Sequence, residues 1–171
     1  MTQYARLVLK DCEAAMQDLQ SGAIGHTYRS RWVGAVALLR TVGHVLDKRD
    51  KLKDEWMATA IDNAWSELKQ TKPEPRIFWE FIEEERNNVL KLYEFGAKEN
   101  ITVRPGAISI NLDTGEQVSS PSGETTYDHF VAGGPLEGFT PDEAVAQAIE
   151  WWCSYLDRVD REATEARKAS T

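Results

Sequence analysis

The sequence has no uninterrupted apolar run of the roughly 18 residues that a membrane-crossing helix needs, so no span is expected. Its first stretch, Met1 to Leu19, alternates charged and apolar residues. It lacks both an apolar core and a small-residue cleavage site, which argues against a secretory signal. Cysteine is scarce. Cys12 and Cys153 lie far apart and form no C-x-x-C pair. Two reduced thiols in a cytoplasmic protein are the expectation, and nothing in the spacing supports a disulfide. The three histidines, His26, His44 and His129, have no partner at metal-ligand spacing such as H-E-x-x-H, and His129 is expected at the surface. No glycine-rich phosphate loop or dinucleotide fingerprint is present, because Gly133 and Gly134 run into Pro135. The run Glu83-Glu84-Glu85 offers carboxylates, but consecutive helix residues point in different directions. No nucleophile stands beside an identifiable base. No metal and no cofactor are therefore expected.

What remains is ordinary for one globular domain: 171 residues, 42% apolar and 28% charged, with six tryptophans that call for a core or interface rich in large rings. The net charge of −8 is unevenly spread. Residues 1–100 carry 15 Lys and Arg against 16 Asp and Glu, whereas residues 101–171 carry 5 against 12. Within the first part, residues 26–53 hold seven basic side chains and two acids. Such a local excess tolerates an anionic ligand or a phosphate backbone, while the acidic remainder argues against general coating of nucleic acid. The competing reading is a helix end and loop whose cations complement acidic neighbours.

Hydrophobic spacing predicts a mainly α fold: a helical bundle of about five helices with a small β-hairpin insertion before the last helix, in a single domain 1–171. The first helix is expected over Thr2 to Gln20, with Leu7 or Val8, Cys12, Ala15 and Leu19 inward and Ser21-Gly22 as its stop. The second is expected over Thr27 to Asp47, where Tyr28, Trp32, Ala35, Leu39, Val42 and Leu46 form a seam and Gly34 and Gly43 mark close helix contacts. Asp50 is the expected cap of a third helix reaching Lys69, with Met57, Ile61, Ala64 and Leu68 inward. Pro73 and Pro75 break the chain. A fourth helix is expected from Ile77 to Phe95, its apolar face made of Phe78, Ile82, Val89 and Leu92, widened by Phe81 and Phe95, with Gly96 as C-cap. Residues 101–135 change character: Ile101 and Val103 look extended, a hairpin is expected near 106–119 around the turn signal Leu112 to Glu116, and Tyr127 to Ala132 reads as a further strand. The last helix opens on Thr140-Pro141-Asp142-Glu143, a capping box with proline at its first position. Val145, Ile149, Trp152, Leu156 and Val159 are inward, the helix reaches about Glu165, and the tail frays.

The fourth helix carries the only hint of chemistry. Arg86, Leu90 and Tyr93 lie along one side, with Asn87 and Lys91 in the neighbouring row. The plain alternative is that Arg86 pairs with Glu83 or Glu85 at the surface. On the second helix, Arg40 and His44 are four apart and meet, which suits phosphate binding and proton transfer or a simple pair on one helix face.

The run WVGAVALLRTVGHVL followed by a later helix bearing RNNVLKLY resembles the HEPN superfamily of bacterial helical nucleases and nucleotide-binding modules. The resemblance covers mainly residues 1–96 and the last helix. It implies a homodimeric bundle, with an RN-x3-H-x-Y signature acting on RNA without metal. Arg86 matches the Arg, Asn87 the Asn and Tyr93 the Tyr, while Lys91 stands where the family has His. In that family the Arg steadies the charge on the phosphate and the His handles the proton. A lysine binds phosphate but shuttles protons poorly near neutral pH. The resemblance thus implies a non-catalytic or weakly active dimer that binds a nucleotide, RNA or a protein partner. The second implied reading is a metal-independent endoribonuclease, a toxin or defence effector, using Arg86, Asn87, Lys91 and Tyr93, with His44 approaching from the second helix.

Overall fold

The computed structural model of the chain describes residues 1–104, 106, 108–110, 117–119 and 123–170. It is mainly α. Helix α1 spans Gln3–Leu19, α2 Gly25–Lys48 and α3 Glu55–Gln70. A helical run over 77–92, here α4, is built from wide i→i+5 turns at Ile77–Glu83, an α-turn at Glu84–Asn87 and wide turns again at Asn88–Leu92. The final helix α5 covers Pro141–Ala169. Before it stands a two-stranded antiparallel ribbon, β1 (Ala97–Arg104) on β4 (Glu124–Val131), with a shorter pair, β2 (Ile108–Ile110) on β3 (Gln117–Ser119). The register runs from Ala97 opposite Val131 to Arg104 opposite Glu124.

Helix α1 packs between α2 and α5, α3 lies on α5, and α4 closes over α2 and α5. All six seam residues of α2 are buried, as are the four inward residues of α3 and the five of α5. Each large apolar side chain so buried contributes roughly 1.5–3 kcal/mol. The start of α5 is the capping box its sequence spells: Thr140 N–H donates to Glu143 Oε2 at 2.9 Å, and Glu143 N–H donates to Thr140 Oγ1 at 3.4 Å. The end of α1 is marked by Gly22 at φ +72°, a conformation that costs glycine nothing.

Several expectations shift. Asp50 does not cap α3. Asp54 does, accepting from Met57 N–H at 2.9 Å. Asp50 is instead buried beneath the start of α1, accepting from Tyr4 N–H at 3.0 Å and Ala5 N–H at 2.8 Å. A tertiary neighbour thus satisfies the first orphan donors of α1. Leu7 points outward, and Ala5 and Leu9 take its place beside Cys12 and Leu19. The C-terminal residues do not fray at Glu165, because α5 continues to Ala169.

The ribbon leaves the bundle at Ala97, ahead of the expected start at residue 101. Its base is buried at Ala97 and Val131, and its outer part is exposed at Ile101, Val103 and Tyr127. Ile108 and Ile110 lie in a strand as expected. Ala107, the turn signal Leu112 to Glu116, and Pro121 and Ser122 fall outside the described residues.

Candidate functional site

The α4 helix departs most from its sequence pattern. The expected α-helix to Phe95 with Gly96 as cap is not what forms. The run ends at Leu92, and Tyr93 takes the left-handed conformation, φ 57° and ψ 34°. For a residue with a Cβ this costs roughly 1–2 kcal/mol. The wide turns shift the facing: Phe78, Phe81, Ile82 and Val89 are buried as expected, but Leu92 is 63% exposed. Insertions of this geometry concentrate at functional sites.

Gly96 has a different task. Its N–H donates to Glu85 Oε1 at 2.8 Å, and the same oxygen accepts from Trp32 Nε1 at 2.7 Å. Glu85 is therefore a buried junction of α2, α4 and the ribbon base. A Cβ on Gly96 would stand 2.5 Å from Glu85 Oε2, so this position admits only glycine without rearrangement. With Glu85 turned inward, Arg86 faces the neighbouring α2.

Arg86 makes no ion pair with Glu83 or Glu85. Its Nη1 donates to Asn87 Oδ1 at 3.0 Å, its one side-chain hydrogen bond among the described residues. Its charge acts on both basic groups of α2. Burial holds the Arg40 guanidinium below its usual pKa, Glu83 opposes this, and Arg86 depresses it further. Burial also lowers the His44 imidazole, and Arg40, Arg86 and Lys48 add to that against Asp47. Neither Arg40 nor His44 makes a hydrogen bond or ion pair among the described residues. Glu83 Oε2 is buried without a hydrogen-bond partner among them. Basic groups from two helices, more than 40 residues apart in sequence, thus act on one another, with Glu83 as the counter-charge felt by Arg40 and Asp47 as that felt by His44.

Beside them opens a cavity of about 170 Å³. Arg40 and His44 line one side, Trp65, Phe78, Trp152 and Tyr155 form aromatic walls, and Asp47 and Asp62 stand at the rim. Both rim carboxylates are engaged by lysine: Asp47 by Lys48 at 2.7 Å, and Asp62 by Lys51. The Arg40 guanidinium lies 5.8 Å from the centre of the Phe78 ring, within cation–π range. Gly43 is the close contact its sequence position suggested: an added Cβ would meet Trp152 Cη2 at 3.0 Å and Arg40 Nη1 at 3.1 Å. Gly34, by contrast, has open space around it. The arrangement suits an anion held by Arg40 and His44, within the electrostatic reach of Arg86, with a flat apolar group against the rings.

The six site residues expected from sequence divide in two. Arg40 and His44 line one cavity, and Arg86, bonded to Asn87, acts on both through its charge. Lys91 and Tyr93 do not join them by any described contact. Lys91 is exposed, with no ion pair among the described residues, and Tyr93, 69% exposed, packs edge-on against Phe95 with ring centres 4.9 Å apart. The aromatic walls come from three helices. Phe78 and Trp152 stand on inward faces in the sequence, but nothing in one chain's spacing says which rings share a cavity.

His129 is another departure. It is half-buried, not a surface residue, and stacks on Tyr28 with ring centres 3.6 Å apart. Its Nε2 lies 3.3 Å from Glu99 Oε1, close enough for charge but off the line of a hydrogen bond. Glu99 Oε1 accepts from Gly25 N–H at 3.1 Å and so serves the N-terminus of α2. This cluster ties the ribbon to the bundle.

Fold and site together define a class: a mainly α bundle with an inserted β-ribbon and a cleft walled by aromatic rings, with Arg40 and His44 on one side. No family model, curated protein or solved structure matches the chain. No helix among the described residues is long and apolar enough to cross a membrane.

Proposed function

We propose that this chain is a HEPN-like module that binds the phosphate of a nucleotide or RNA in the cleft that α2 lines with Arg40 and His44, and that it binds without cleaving efficiently. The observation that carries the reading is a cavity lined by Arg40 and His44 beside aromatic rings, with neither side chain bonded to a carboxylate among the described residues and with the charge of Arg86 acting on both. Like charges held together in a half-buried site repel one another, and a bound anion relieves that repulsion. Weak or absent cleavage follows from position 91: a solvent-facing lysine replaces the proton-handling group. The module acts as a cytoplasmic homodimer in this reading, with a protein partner as an additional client.

One observation favours the catalytic alternative. His44 lines the cleft within the electrostatic reach of Arg86, and its lowered pKa leaves it neutral, and so a competent base, at neutral pH. The two readings part in one experiment. Purified protein is titrated with uridine and adenosine nucleotides by calorimetry and then incubated with RNA in EDTA. The binding reading expects heat with the nucleotide, a loss of about tenfold or more in affinity for Arg86→Ala and for Arg40→Ala, and intact RNA. RNA cut in EDTA, with the cutting lost in Arg86→Ala and His44→Ala, would establish the nuclease instead. Nucleotide affinity unchanged in both arginine variants would remove the cleft from consideration.

A further inference from the structure

The cleft does not end at its own walls. Phe78, which carries the Arg40 guanidinium over its face, lies 5.9 Å from Trp65, centre to centre, and Trp65 lies 6.1 Å from Trp79. Trp65 lines the cleft, whereas Trp79 lies outside it, and both rings are only half-buried. Each carries a lysine over its face: Lys69 Nζ at 5.8 Å from the Trp65 ring and Lys72 Nζ at 4.7 Å from the Trp79 ring. Neither lysine is ion-paired among the described residues, and both are exposed. Other basic groups on this side are already committed: Arg76 to Glu80 at 2.7 Å and Arg158 to Glu67 at 2.9 Å. The half-buried rings of Trp65 and Trp79, each with an exposed lysine over it, thus form a surface beside the cleft, and the buried Phe78 ring packs against both, at 5.9 and 4.9 Å.

We infer that the Trp65–Trp79 surface, with Lys69 and Lys72, is a second subsite that stacks the neighbouring base of a single-stranded nucleic acid whose phosphate occupies the cleft. This rests on the phosphate-binding reading of the cleft and extends it from one nucleotide to an oligonucleotide. Single strands are held by aromatic rings that stack on bases and by cations that follow the backbone. Both are present here on one surface, the Trp65 and Trp79 rings with Lys69 and Lys72 over them. A duplex buries its base faces within its own stack and offers these rings nothing. A purely apolar peptide would leave the two ammonium groups unused, so the charge pattern favours a polyanion.

The test compares the full chain's affinity for uridine monophosphate, for labelled hexauridylate and its deoxy counterpart, and for a hairpin duplex of matching length. The expected result is an oligonucleotide at least about tenfold tighter than the mononucleotide, in the ribose or the deoxyribose series, with no such advantage for the duplex. Trp79→Leu is expected to remove most of that advantage, a loss of roughly 5- to 100-fold for the oligonucleotide, while leaving mononucleotide affinity unchanged. Lys72→Gln, on the exposed loop, is expected to weaken the oligonucleotide several-fold without touching the fold. Arg40→Ala should weaken both ligands. Mononucleotide binding that depends on Arg40 but gains nothing from chain length, or a length advantage that survives both Trp79→Leu and Lys72→Gln, would overturn the subsite and leave the cleft standing. No binding of any of the ligands would overturn both.

Discussion

At the scale of single residues, His44 is the group whose protonation reports on the site. Burial, and then Arg40 and Arg86, hold its pKa below the ordinary value. An anion placed among these cations favours the imidazolium, so binding raises that pKa and takes up a proton. Affinity for sulfate, which does not titrate near neutrality, should therefore rise as pH falls through the histidine range below about 6.5 and be flat above it. Histidine C2–H shifts followed by NMR with and without sulfate would check this. A flat affinity profile between about pH 5 and about pH 8 would remove His44 from the site. In the free protein the sign for stability is opposite to that for binding. The unfolded chain takes the proton more readily, so His44 costs stability as pH drops below its unfolded value of about 6.5.

At the scale of elements, the two interior glycines of α2, Gly34 and Gly43, have the same sequence signature and different roles. Gly34 has nothing within 4 Å of the point where a Cβ would stand, whereas Gly43 would drive a methyl group against Trp152 and Arg40. Gly34→Ala is expected to stabilise the protein by roughly 0.5–1 kcal/mol, because the helix loses its most flexible residue. Gly43→Ala is expected to destabilise it, typically by about 1–3 kcal/mol for overpacking, and to weaken nucleotide binding by displacing Arg40. Thermal melts of the two variants read the contrast directly, and equal effects would refute the packing account. The α4 helix teaches a related lesson. Its apolar spacing fits a 3.6-residue period over a few turns, and so it fits a wider period almost as well. The sequence therefore indicates a helix, but the wide turns that expose Leu92 and turn Glu85 inward are not legible in it.

At the scale of the whole molecule, Glu85 is where the separate parts are joined. Its Oε1 receives Trp32 of α2 and the backbone of Gly96, which leads into the ribbon. Glu85→Ala leaves two buried donors without an acceptor, which costs about 2–5 kcal/mol. Glu85→Gln keeps a carbonyl oxygen in place and should cost less than half as much. Urea denaturation measures both, and an alanine variant as stable as the parent would show that solvent enters the junction at no cost. In the sequence the same residue is one of three consecutive acids, and a carboxylate in Glu83-Glu84-Glu85 carries no mark of the tryptophan it will meet.

The sequence by itself determined the number and type of elements, the inward seams of α2, α3 and α5, the capping box at Thr140, and the presence of strands before the last helix. These are local or periodic properties, set by the spacing of apolar residues and by backbone chemistry within a few positions. It also marked Arg86, Asn87, Arg40 and His44, residue types that suit phosphate. Only the tertiary structure decided that Arg40 and His44 line one cavity under the charge of Arg86 while Lys91 and Tyr93 stand apart, that Asp50 caps α1 from a distance, and that rings from three helices wall that cavity. Such facts depend on which faces of separate helices are pressed together, and the period of one helix carries no information about the face of another.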